Sequence, residues 1–179
     1  MSTREYLLDV ARSKLGDYRK GSPEVIAIWK DVLSPSLGAA VIEQYAKGNA
    51  DWCGAFTLHC LREAKLLDEH WQIGSGYVLR AIGAKAAVKV PKPGDIGIIQ
   101  RWPGATKDAW HHYLVANWDA PTSWTSIDGN SPGVTMKRHD TVLPTTTFYS
   151  IEKLLPALPE AGFLRDGEFA VPGVQDKKE

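Results

Sequence analysis

Residues Asn49–Leu67, NADWCGAFTLHCLREAKLL, read as a helix with a cysteine near its first turn. Asn49 or Asp51 is placed to cap its N-terminus by accepting backbone N–H bonds. Trp52, Ala55, Phe56, Cys60, Ala64 and Leu67 recur at three- and four-residue steps, which predicts an apolar, buried face. Cys53 stands at the helix start, where amides without intrahelical acceptors and the positive end of the helix dipole favour a thiolate. That placement suits a nucleophile. A free cysteine taken alone is more often a small buried hydrophobe. A Cys53–Cys60 disulfide is excluded: seven helical residues at about 1.5 Å each separate the Cα atoms by about 10 Å, and a disulfide spans at most about 7 Å.

Working outward toward the N-terminus, Ser2-Thr-Arg-Glu5 has capping-box spacing. Leu7, Val10, Ala11 and Leu15 then supply the apolar face of a first helix that stops near Gly16. Ser22-Pro23 restarts helix, and Val25, Ile26, Ile28, Trp29, Val32 and Leu33 carry it to Ser34-Pro35. Residues 37–47 read as a short third helix. Downstream of Leu67, Tyr77–Ala84 reads as a further short helix that runs into Pro91-Lys-Pro-Gly94, a strong breaker.

From Asp95 the residues favour strands: Ile96–Ile99, Tyr113–Trp118, Trp124–Ile127, Val134–Arg138 and Thr146–Ile151. Helices first and strands second predict an α+β domain with a C-terminal antiparallel sheet. The expected division is one domain over residues 1–154. Residues 155–179, rich in Pro, Gly and charge, would form a C-terminal arm or partly disordered tail.

The 179 residues are 44% hydrophobic, enough for one core. Lys plus Arg and Asp plus Glu number 21 each, so the formal charge is zero. With no long run of like charge, nucleic acid is not an expected partner, nor is an anionic membrane. No apolar run approaches the ~18 residues of a membrane span. The polar start Met1-Ser-Thr-Arg-Glu-Tyr6 lacks a signal-peptide core. With no His-Glu-x-x-His motif, no Cys-x-x-Cys pair and no acidic calcium loop, no metal or other cofactor is expected. No Gly-x-Ser-x-Gly elbow is present for a serine hydrolase. Asp9, Asp51, Asp68 and Glu69 lie on ordinary helix faces or ends and do not suggest a carboxylate pair.

A cysteine nucleophile needs a base within reach and a third group to hold that base. His111 and His112 open a strand after a polar loop. His59 lies mid-helix, two turns from Cys53; His70 and His139 sit in polar surroundings and read as surface residues. Ser126-Ile-Asp128-Gly-Asn130 runs a strand into a tight turn, and both Asp128 and Asn130 carry side chains that accept from an imidazole N–H. Among the seven tryptophans, Trp102, Trp110, Trp118 and Trp124 cluster in the strand half. Most are expected in packing, with one or two lining a groove for glycan or peptide.

The ordered set resembles the CHAP family, the cysteine, histidine-dependent amidohydrolases and peptidases. Trp52-Cys-Gly-Ala-Phe56 matches its helix motif, Pro93-Gly-Asp95 its entry to the first strand, His112-Tyr-Leu-Val115 its histidine strand, and Asp128-Gly-Asn130 its acid-Gly-Asn turn. The likeness runs from about Tyr6 to Ile151. It implies a papain-like fold with Cys53 as nucleophile, His112 as general base and then acid, and Asp128 or Asn130 orienting the imidazole. Two positions depart: the acid is more often Glu in that family, and Leu114 stands where a small residue is expected. The histidine register is therefore open, with His111 the rival to His112. Adjacent strand residues point to opposite faces, so only one of the two is expected to face Cys53.

What the resemblance further implies is hydrolysis of a peptidoglycan amide bond, as an amidase or endopeptidase working through an acyl-enzyme. The protein would be a monomeric phage lysin or secreted antibacterial effector. Made in the cytoplasm without a signal peptide, it would reach the periplasm or cell wall through a holin or a secretion system. Its partners would be an immunity protein or a secretion or phage component. The alternatives are a cysteine protease or deamidase acting on a protein, and a non-catalytic phage structural or binding module.

Overall fold

A computed structural model describes residues 2–47, 51–67, 86–100, 110–119, 121–130 and 132–160. The expected helix at Tyr77–Ala84, Asn49, His70 and Trp102 lie outside the described residues, as does the chain beyond Glu160.

The capping box forms. Ser2 Oγ accepts from Glu5 N at 3.3 Å, and the Glu5 carboxylate accepts from Ser2 N at 2.6 Å, opening α1 (Thr3–Ser13). Ser22 caps α2 (Pro23–Val32), whose proline occupies the first turn. A short 3-10 turn at Pro35–Leu37 leads into α3 (Ala39–Lys47), and α4 spans Cys53–Glu63. Every residue of α4 from Cys53 to Leu61 is buried. An apolar stripe is thus too modest a description: α4 is the central helix, with α1 and α2 against it on one side and β3 on the other.

The strands are β1 (Ala87–Val88), β2 (Ile96–Gln100), β3 (Trp110–Trp118), β4 (Trp124–Asp128), β5 (Thr135–His139) and β6 (Thr147–Tyr149). They form one antiparallel sheet in the order β1-β6-β2-β3-β4-β5. The last strand ends two residues before Ile151, because Ile151–Glu160 forms helix α5, which takes in the first residues of the expected arm. The architecture is α+β, with N-terminal helices and a C-terminal antiparallel sheet.

Strand alternation divides the sheet residues between two apolar clusters. Ile96, Ile98, Leu114, Ala116 and Ile127 join the helices in the main core. Tyr113, Val115, Trp124 and Phe148 pack together on the other face, with Trp118 edge-on to Phe148. Gly97 lies opposite Tyr113 in the β2–β3 register, and a Cβ there would sit 2.1 Å from the Tyr113 ring. The tyrosine therefore lies flat across its neighbour strand.

Pro93-Gly-Asp95 ties the halves together. Asp95 is buried, pairs with Arg4 of α1 at 2.8 Å, and accepts from the amides of Lys92 at 2.8 Å and Ile151 at 3.2 Å. One carboxylate thus joins α1, the entry to β2 and the start of α5.

Among the described residues no helix is long and apolar enough to cross a membrane. Nor does any group of His, Cys, Asp and Glu side chains there have the arrangement to hold a metal ion.

Candidate active site

The residue before Cys53, Trp52, is the N-cap of α4 and supplies no side-chain cap. The Asp51 carboxylate, just ahead of it, accepts from Lys20 Nζ at 3.0 Å and Asn130 Nδ2 at 2.7 Å. The positive end of the helix lies beside the Cys53 thiol.

Asn130, with φ of 69°, carries the turn after β4 to Asp51, so the acid-Gly-Asn turn is fastened to the segment entering α4. Gly129 makes that approach feasible. A Cβ on it would lie 2.6 Å from Phe56 Cβ and 3.0 Å from the Trp52 ring. The absence of a side chain here serves close packing. Asn130 therefore positions the cysteine segment; its amide is engaged with Asp51 and not with an imidazole.

Cys53 is 5% exposed, and its Sγ lies 3.9 Å from His112 Nδ1. His111 also hydrogen-bonds the thiol. Both imidazoles reach the sulfur, contrary to the expectation that strand alternation admits only one. Alternation itself holds: His112 shares a strand face with Leu114 and Ala116 of the main core, and His111 shares one with Tyr113. Two rings on opposite faces meet one thiol because Cys53, at the tip of α4, lies by the opening end of β3.

Asp128 distinguishes the two histidines. His111 Nε2 lies 2.5 Å from Asp128 Oδ1, in a site where Asp128 is 1% exposed. Because Asp128 occupies Nε2, Nδ1 is the ring nitrogen left to face the thiol. His112 Nε2, by contrast, is buried with no hydrogen-bond partner. The acid proposed from sequence to hold the base holds an imidazole, and that imidazole is His111.

Electrostatics follow the contacts. Burial alone would push the Cys53 thiol up, but hydrogen bonds from His111 and then His112, together with their charge, hold it at about 5. Burial likewise works against a charged His111, yet its bonds to Asp128 and Cys53 raise it above its ordinary value. Cys60 is the opposite case: buried in α4 beside Glu63, its thiol is pushed well above the ordinary range. The arrangement favours a thiolate–imidazolium pair at Cys53 and His111.

One residue read from sequence as an ordinary surface histidine belongs to this network. His139 is half-buried and lies 2.8 Å from Ser126 Oγ, which in turn hydrogen-bonds Asp128 Oδ2. Thr135, Lys137 and His139 share the half-buried face of β5 while the apolar Met136 is exposed, so the residue types of this strand gave no signal for the inward placement of His139. His59 lies elsewhere: its Nδ1 is 2.7 Å from Asp31 of α2, in an ion cluster with Arg62 and Glu63.

Comparison of the chain with protein-family models, with curated proteins and with solved structures found no match.

Proposed function

We propose that this protein is a papain-like cysteine hydrolase that cleaves an amide bond in peptidoglycan. The observation that carries the chemistry is the thiol of Cys53, held at about 5 at the start of α4 and bonded to an imidazole that Asp128 fixes. The substrate class is supported by the likeness of Trp52–Phe56, Pro93–Asp95, the histidine strand and Asp128–Asn130 to the CHAP pattern.

In this reading the Cys53 thiolate attacks the scissile carbonyl carbon. Backbone amides of the first turn of α4 stabilise the oxyanion that forms. As the tetrahedral species collapses, the C–N bond breaks and His111 passes its proton to the leaving amine. The neutral His111 then takes a proton from water, whose oxygen attacks the thioester and releases the acid and the thiolate. Asp128 holds the ring in one tautomer and stabilises its charged form. His112 presents Nδ1 to the sulfur at 3.9 Å as a second hydrogen-bond partner.

His111 is preferred to His112 as the base because a base must be held, and His111 has the carboxylate. Delivery to the wall through a holin or a secretion system, as a phage lysin or antibacterial effector, belongs to the same proposal. So does an immunity protein as partner.

The test is digestion of purified peptidoglycan sacculi by wild type and by Cys53→Ala, with fragments identified by mass spectrometry. New fragments from wild type alone support the proposal and name the bond that is cut. No fragments from folded, reduced wild-type protein across pH would refute a peptidoglycan substrate.

A further inference from the structure

We propose that His139, acting through Ser126, is a positioning residue for the Cys53–His111 pair, holding Asp128 so that its other oxygen stays on His111. This rests on the roles assigned above to Cys53 and His111.

A carboxylate held by one oxygen can still swing about its side-chain torsions, and the ring it orients swings with it. Here both oxygens are engaged. Oδ1 lies on His111, and Oδ2 accepts the hydroxyl hydrogen of Ser126. A serine has one such hydrogen, so its 2.8 Å contact with His139 Nε2 requires the imidazole to donate. The N–H of His139 is therefore at Nε2. The chain of contacts runs His139 to Ser126 to Asp128 to His111 to Cys53.

The sheet builds this chain. Ser126 and Asp128 are two residues apart on β4 and share a face, while register places His139 opposite Trp124. The His139 ring is clamped by stacking on Trp124, with centroids 4.5 Å apart and planes 10° from parallel, and lies 5.7 Å from Tyr113. Trp124 and Tyr113 are fully buried, so the clamp is rigid. The charged and titratable groups around His139 are Asp128 on β4, His111 on β3, and Lys137 and Asp140 beside it in the chain. Burial foremost, with Lys137 and His111, keeps the ring neutral to lower pH than usual. Neutral or charged, it retains the Nε2 proton, so the bond to Ser126 survives titration.

A merely structural role would need only the flat ring on Trp124, and phenylalanine supplies that. The decisive variants are therefore His139→Phe, which keeps the stack and loses the donor, and His139→Gln, which keeps a donor. Ser126→Ala breaks the chain independently.

The measurement is the rate of iodoacetamide alkylation of Cys53 against pH, read by mass spectrometry of its peptide, on variants with a cooperative thermal transition. It needs no substrate. His139→Phe and Ser126→Ala should each raise the midpoint by roughly half to one pH unit, slowing alkylation at the wild-type midpoint about two- to sixfold. The double variant should move no further than either single one, because both remove the same support. His139→Gln should return toward wild type.

A His139→Phe midpoint equal to wild type overturns the proposal. So do additive shifts in the double variant, or a His139→Gln profile displaced as far as that of His139→Phe. If wild-type Cys53 itself titrates as an ordinary thiol, the assigned roles fall and this proposal with them. If it titrates low and the variants leave it unmoved, only this proposal falls.

Discussion

His111 Nε2 and Asp128 Oδ1 are 2.5 Å apart, joining the second residue of β3 to the last residue of β4. Asp128 pairs with Tyr113, two residues from His111, so sheet register sets both side chains on one face at diagonal positions. The ring that meets Cys53 is thus aligned by backbone pairing rather than by a loop. That gives the imidazole a fixed tautomer and leaves the second histidine, His112, on the core side of the strand.

From this pairing, Asp128→Asn and His111→Ala should each lower kcat/KM by about 10²- to 10⁴-fold, the usual range for a positioned acid–base group. His112→Ala should lose less, since it removes one hydrogen-bond partner of the sulfur and leaves the held base in place. Steady-state kinetics on a soluble wall fragment make the comparison. A larger loss from His112→Ala than from His111→Ala would reverse the two assignments.

Activity should be bell-shaped in pH. Below about 5 the Cys53 thiol is protonated and no nucleophile remains. His111 is held above its ordinary value by Asp128 and Cys53, so the basic limb should fall above 6.5, as the imidazolium loses the proton needed by the leaving amine. A pH profile of kcat/KM checks both limbs. Asp128→Asn should move the basic limb downward in pH.

Gly129→Ala should destabilise the protein by about 1–3 kcal/mol, because its Cβ would press on Phe56 and Trp52 at the start of α4. Urea unfolding followed by tryptophan fluorescence measures it. The same change should reduce activity, since the turn it displaces carries Asn130 to Asp51 beside the cysteine.

Arg4→Met should cost about 3 kcal/mol, at the low end for a broken buried ion pair because Arg4 is itself partly exposed. It leaves the Asp95 carboxylate buried with two amide donors and no cation. Urea denaturation is the measure, and the double variant Arg4→Met with Asp95→Asn should recover part of the loss.

Much of this fold was legible because its signals are local. Ser2–Glu5 and Ser22-Pro23 announce helix starts through side chains that act within one turn. The strand segments from Ile96 to His139 carry β-branched and aromatic runs. Two residues at Ala87–Val88 have no room for a period, so β1 could not be read. Nor could the ties of Asp51 to Lys20 and Asn130 be read, because both partners are distant in sequence.

At the site, Cys53, the two histidines and Asp128 were readable as types and order. Which histidine the acid holds was not, because β3 begins at Trp110 and both histidines lie inside it. Ser126 and His139 were beyond reach for a related reason. Their contact depends on the β4–β5 register, which only tertiary pairing sets.

The most direct test of the central claim is a titration of thiolate absorbance in the ultraviolet, taken as the difference between wild type and Cys53→Ser. Cys60 is pushed well above the ordinary range, so it stays silent through the neutral region and the signal belongs to Cys53. The account predicts a thiolate appearing with a midpoint of about 5. A midpoint near about 8.5, the value of an unperturbed cysteine, would contradict it.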